Sequence, residues 1–190
     1  MIVLASQSPR RKELLKKILR GVPFLCLPST IDERKIQCSD CSKLVLEEAL
    51  AKGMDVSGKR KGDFVIASDT MVVFEGEELG KPKDAEDAYR TLERLQGQEH
   101  KVLTGYVILK DGEVLAQRVV SSTLFIHPMT AEQIRRYVAT GSPLDKAGSY
   151  GVQDEEYLSA TILEGEKENI IGFPIKEIQE DLQRLHLLEA

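Results

Sequence analysis

Two β-rich runs, "HKVLTGYVILK" (His100 to Lys110) and "EVLAQRVVSSTLFIH" (Glu113 to His127), flank the dipeptide Asp111-Gly112. Asp-Gly between such runs is a strong signal for a two-residue hairpin turn, because both turn positions need a left-handed backbone that matches strand twist. A hairpin this long excludes a purely parallel sheet. Around it the chain alternates. Ile2 to Ala5 and "VPFLCL" (Val22 to Leu27) read as short strands and "DFVIASDTMVVF" (Asp63 to Phe74) as a long one, with "EGEE" as its turn. Helices are predicted from Pro9, across "KLVLEEALAKGM", across "DAEDAYRTLERL" with Asp84 as its cap, across "TAEQIRRYVATG", and from Pro174 onward. Thr130 and Gln133 have the spacing of a capping box. A glycine-rich loop, Ala147 to Gly151, precedes a short strand near Leu158 to Leu163. The order predicts an α/β fold with a mixed sheet.

A chain of 190 residues fits one domain, taken here as 1–190, and can bury a real core. The net charge of −5 supplies no broad field for nucleic acid or an anionic membrane, so any basic site must be local. No run approaches the length that spans a bilayer, and the start lacks a secretory signal pattern, which makes the cytoplasm the expected compartment. Three cysteines are too few for a disulfide scaffold, and the "CSDC" pair, Cys38 and Cys41, lacks the partners of a zinc site.

Against this ordinary background a few residues break local rules. In "LASQSPRRKELLKK" Ser8 is a good N-cap and Pro9 suits the first helical position, yet Arg10 and Arg11 place two cations at the positive end of the helix dipole. They are either a solvated pair or half of an anion site formed with the free backbone N–H groups and the Ser6 and Ser8 hydroxyls. Asp69 interrupts an otherwise apolar strand, where a carboxylate is costly without a hydrogen bond, a cation or a metal. Lys81 sits between Gly80 and Pro82, and the proline restricts the backbone that aims it, although an ordinary turn can also hold a lysine. Lys52 is expected at the end of its helix, where a cation is welcome in any case. Gln153 follows the glycine loop and can either present its amide to a ligand or cap a turn. His100 and His127 flank strands and are read as satisfied edge residues.

In combination these stretches resemble the Maf family of nucleoside triphosphate pyrophosphatases. The resemblance runs in order through "LASQSPRRKELL", "DE" at 32–33, Lys52, "ASDTMVV", "LGKPKDAEDA", "HKVLTG", "YVATGSPLDKAGSYGVQ" and "IIGFPI". It implies a mixed, largely antiparallel extended sheet with flanking helices in two lobes around a cleft, as in inosine triphosphatases. It also implies hydrolysis between the α- and β-phosphates of dTTP and UTP; modified pyrimidine triphosphates are an alternative substrate class that the sequence leaves open. By the same resemblance Asp69 is the proton acceptor, Arg10, Thr70 and Gln153 set base preference, and Ser8, Arg11, Glu33, Lys52 and Lys81 line the site. A homodimer and an association with septum formation are implied as well. Three places depart from the family pattern: Ser142 stands where Glu is common, Asp154 where Gly is common, and the loop after Glu33 reads "RKIQCSD" where another acidic residue is often found.

The chemistry such a site needs matches these residue types. Arg11, Lys52 and Lys81 are assigned to the β- and γ-phosphates, where preorganised cations stabilise developing charge. Glu33 and Asp69 suit a hard divalent cation, Mg²⁺ or Mn²⁺. Burial is expected to raise the pKa of Asp69 and so improve it as a base. Gln153 offers both a donor and an acceptor to a pyrimidine imide edge, with Arg10 and Thr70 adding donors. Two rival classes remain: a regulatory protein that binds nucleotide without turnover, and a nucleic-acid binder, which the acidic balance and an aromatic content of 5% disfavour.

Overall fold

The structure, a computed structural model, describes residues 1–32, 36 and 39–189. Its strands are β1 (Ile2–Leu4), β2 (Phe24–Cys26), β3 (Phe64–Phe74), β4 (Glu77–Leu79), β5 (Glu99–Lys110), β6 (Glu113–Ile126) and β7 (Ala160–Glu164). Its helices are α1 (Pro9–Leu19), α2 (Cys41–Lys59), α3 (Ala85–Leu95), α4 (Ala131–Ala139), α5 (Lys167–Ile171) and α6 (Ile175–Arg184). The strands follow the order β2-β1-β3-β5-β6-β7, with β4 added to β3, so the sheet is mixed as expected. Asp111 and Gly112 have φ of 52° and 84°, the left-handed pair that the β5–β6 hairpin requires.

The chain falls into two compact units. The first comprises Met1–Asp69, Thr104–Val120 and Ile171–Ala190. Here β1 runs parallel to both β2 and β3, joined through α1 and α2. Such strands are covered on both faces, and β1 is buried throughout. Strand periodicity divides the core. Ile2, Leu4, Ile66, Tyr106 and Ile108 face α1 and α6, meeting Leu14, Leu15, Ile18, Phe173, Ile178 and Leu182. The intervening residues Val3, Val65, Ala67, Val107 and Leu109 pack on the other side with Val56 of α2. That helix lies close to the sheet. A Cβ on Gly53 would sit 2.4 Å from Leu109 Cδ1, and one on Gly105 2.7 Å from the Val45 carbonyl oxygen. C-terminal helix α6 is fastened by its buried Asp181, which accepts from the Tyr106 hydroxyl at 2.6 Å and from Arg118 at 2.6 and 3.0 Å.

The second unit comprises Thr70–Leu103 and Ser121–Ile170. In it the far half of β3 pairs antiparallel with β4, and the far end of β6 pairs antiparallel with β7 across a bulge at Thr123/Leu124. Asp84 caps α3 by accepting from Asp87 N at 2.8 Å, and Thr130 and Gln133 form the expected capping box on α4. A 3₁₀ turn, Ser142–Asp145, precedes the glycine-rich segment, in which Gly148 and Ser149 are left-handed with φ of 70° and 60°. Two elements escape the sequence reading. β4 has three residues, two exposed and one half-buried, and exists through its ladder to β3; α5 has five, too few to display a helical period.

Candidate active site

Ser8 caps α1 as predicted, its hydroxyl oxygen accepting from Arg11 N at 3.3 Å while Ser8 N donates to the Ser6 hydroxyl at 3.0 Å. The two arginines diverge, because successive helical residues are about 100° apart around the axis. Arg10 is exposed. Arg11 is half-buried and turns inward: its Nε donates to the Gly172 carbonyl at 2.9 Å and one terminal nitrogen to the Ser68 carbonyl at 2.8 Å. These bonds fix the guanidinium within reach of the Asp69 carboxylate, whose charge it stabilises.

Asp69 continues the Val65, Ala67 alternation of β3 and therefore points toward α2. On α2 the buried stripe through Leu44, Val45, Ala49 and Val56 also includes Glu48 and Lys52. Lys52 Nζ forms a buried ion pair with Asp69 Oδ1, each side chain 11% exposed. Lys52 is thus not at a helix end: α2 runs on to Lys59, and the lysine lies mid-helix on the core-facing side. Glu48, one turn earlier, shares a hydrogen bond with the Asp69 carboxyl. Burial pushes the Asp69 pKa up, but Lys52, Glu48 and Arg11 more than offset it and hold the group below the usual carboxylate range. The upward shift expected from the sequence is therefore reversed. Asp69 is an ionised, paired carboxylate at neutral pH.

The second unit holds three more of the expected residues. Thr70 follows Asp69 on β3 and is half-buried; Lys81 and Gln153 are exposed. The Gly80–Pro82 stretch is tied to the glycine loop through Gly148 N, which donates to the Gly80 carbonyl at 3.2 Å. Gly148 has a φ of 70°, and a Cβ there would lie 2.9 Å from the methyl carbons of Val72. Glu33 and Cys38 lie outside the described residues, and Cys41 opens α2. His100 is not an edge residue: it is 3% exposed, its Nε2 lies 2.6 Å from the Tyr150 hydroxyl, and burial lowers its pKa to about 4. His127 is exposed and bonds Thr161 Oγ1 at 2.8 Å.

Sequence reasoning missed Glu48. The available signal was helical register, since stepping by three or four from Leu44 and Val45 reaches Glu48 and then Lys52. Among the described residues no group of three or more His, Cys, Asp or Glu could hold a metal ion. The oxygen donors of Asp69 and Glu48 are nonetheless of the hard type that a divalent cation takes, with phosphate oxygens and water able to complete its shell. No helix among the described residues is long and apolar enough to cross a membrane.

Fold and site together define an α/β protein whose mixed sheet buries a lysine–aspartate pair beside an arginine at a helix start. Residues 1–185 match the family model described as Maf-like protein, and the chain belongs to that family. It is 38% identical over 189 residues to the dTTP/UTP pyrophosphatase of Geotalea uraniireducens, covering 99% of this chain and 96% of that one. It is 41% identical over 181 residues to the dTTP/UTP pyrophosphatase of Clostridium tetani, covering 93% of each. In fold it is similar to a HAM1 protein from Coxiella burnetii, with a TM-score of 0.51 and 14% identity, covering 96% of this chain and 98% of that one.

Proposed function

We propose that this protein hydrolyses dTTP and UTP to the nucleoside monophosphate and pyrophosphate. The observation that carries the reading is the buried Lys52–Asp69 pair with the Arg11 guanidinium beside it, at the start of α1. A triphosphate offers Lys52 and Arg11 further anionic oxygens, and the Ser8 hydroxyl can donate outward while it caps the helix. In this reading Arg11, Lys52 and Lys81 hold the β- and γ-phosphates, and the Asp69 carboxylate accepts the proton of the attacking water. Because Asp69 is already ionised, it needs no prior deprotonation. Its weakened basicity is restored as phosphate draws Lys52 away from it. Asp69 and Glu33 are the residues that would hold Mg²⁺ or Mn²⁺, which supplies charge neutralisation at the phosphoryl oxygens. By the family resemblance Gln153, Arg10 and Thr70 set base preference, since a cytosine or purine would leave their polar groups unpaired.

The test is pyrophosphate release from a panel of canonical and modified triphosphates, with and without Mg²⁺ or Mn²⁺, beside Asp69→Asn. Release from dTTP and UTP that falls by about a hundredfold or more in the variant is the expected result. No release from any triphosphate, or full release by Asp69→Asn, would refute the proposal.

A further inference from the structure

Gln153 occupies the third position of a turn closed by Asp154 N donating to the Gly151 carbonyl at 2.9 Å. Val152 in that turn is buried and Gln153 exposed, so the turn presents the amide outward. Both ends of the turn meet a single hydroxyl. Gly151 N donates to the Tyr137 Oη at 2.9 Å, and Tyr137 in turn donates to Asp154 Oδ2 at 2.6 Å. The same carboxylate oxygen accepts from the Ser142 hydroxyl at 2.7 Å, and Lys146 Nζ donates to that hydroxyl at 3.0 Å. Ser142 and Asp154, two of the places at which the sequence departs from the family pattern, are bonded partners in the structure. Tyr137 is fully buried and stacks on Tyr157 with ring centroids 5.7 Å apart, so its ring has no freedom to leave.

We infer that Tyr137 and Asp154 are positioning residues for base selection, clamping the two ends of the turn that carries Gln153. This rests on the reading of Gln153 as a base-contacting residue. The geometry gives the clamp its consequence. A hydrogen bond that rejects a wrong base must be placed within a few tenths of an ångström, and a freely rocking turn would let the amide adapt to either pyrimidine edge. A charged acceptor strengthens both hydroxyl bonds, and Gly151 leaves room for it: a Cβ there would lie 3.0 Å from Asp154 Oδ2. With its ring at 0% exposure Tyr137 cannot touch a ligand, so any effect it has on base choice must travel through the turn.

The experiment compares kcat and KM for UTP and CTP in Tyr137→Phe, Asp154→Ala, Asp154→Asn, the Tyr137→Phe/Asp154→Ala double variant and Gln153→Ala, with hydrogen exchange read at the Gly151 amide. Tyr137→Phe and Asp154→Ala should each raise KM for UTP and cut UTP-over-CTP discrimination by about tenfold, with kcat within about twofold and faster Gly151 exchange. Asp154→Asn, which keeps an acceptor in place, should retain most of the discrimination. The double variant should be no worse than the worse single one, because the two residues act as one unit. Unchanged discrimination in Tyr137→Phe and Asp154→Ala, with a clear loss in Gln153→Ala, overturns the clamp and leaves the base reading intact. Unchanged discrimination in Gln153→Ala overturns the base reading, and this inference with it.

Discussion

Replacing Lys52 by Met tests whether the buried ion pair is kept for stability or for chemistry. With each side chain 11% exposed, solvent screens the pair little. Removing one member of such a pair costs about 3–5 kcal/mol, because the other charge stays buried without its partner. Arg11 still faces Asp69 after the change, which places Lys52→Met near the lower end, about 3 kcal/mol. Asp69→Asn leaves Lys52 an amide oxygen to bond and should cost about 2 kcal/mol. The double variant removes both charges and should return to within about 1 kcal/mol of the parent, while all three variants lose pyrophosphate release. The pH dependence carries a sign. Without Lys52 the largest influence opposing burial is lost, so the folded pKa of Asp69 rises relative to the parent's. Lys52→Met should then be more destabilised at pH 8 than at pH 5.5, as the penalty fades when Asp69 takes up a proton. Urea unfolding midpoints at both pH values, with the slope checked for constancy, measure each quantity. Additive single costs in the double variant, or a Lys52→Met penalty that grows toward acid, would refute the reasoning.

His100 gives a second pH test. Its folded pKa of about 4 lies below the ordinary 6.5, so its contribution is complete above 6.5 and is lost as the pH falls toward 4. The linkage amounts to about 2 kcal/mol between pH 7.5 and pH 5. The stability gap between the parent and His100→Gln should narrow by that amount over this range, whereas parallel curves in chemical denaturation would exclude a buried neutral histidine. The diverging arginines give another test. Arg11→Ala should lose pyrophosphate release on every triphosphate, and Arg10→Ala should mainly alter which base is preferred. Steady-state kinetics on a triphosphate panel separates the two outcomes, and equal effects from both would defeat the division of labour.

Much of the fold was legible because it is encoded locally. Asp111-Gly112 fixed the hairpin, Ser8, Asp84 and Thr130 fixed helix starts, and Leu14, Leu15, Ile18 and Leu19 fixed the buried face of α1. The candidate site was legible as a set of anomalies, with Asp69 in an apolar strand and two arginines at a helix start. What those anomalies touch was not. Local pattern places Lys52 near the end of a helix read to Met54, and it gives Glu48 no partner, because Asp69 lies on a different element.

The chain by itself determined the elements, their caps and turns, and which few polar residues stand where apolar ones belong, since these follow from contacts a few residues apart. Tertiary structure alone decided that β3 parity and the α2 stripe meet at Lys52 and Asp69, so that a carboxyl expected to be raised is lowered. It also decided that Tyr137 closes the turn holding Gln153. The physical reason is the same in both cases: the charge state of a group and the rigidity of a turn are set by through-space neighbours, and those come from distant parts of the chain.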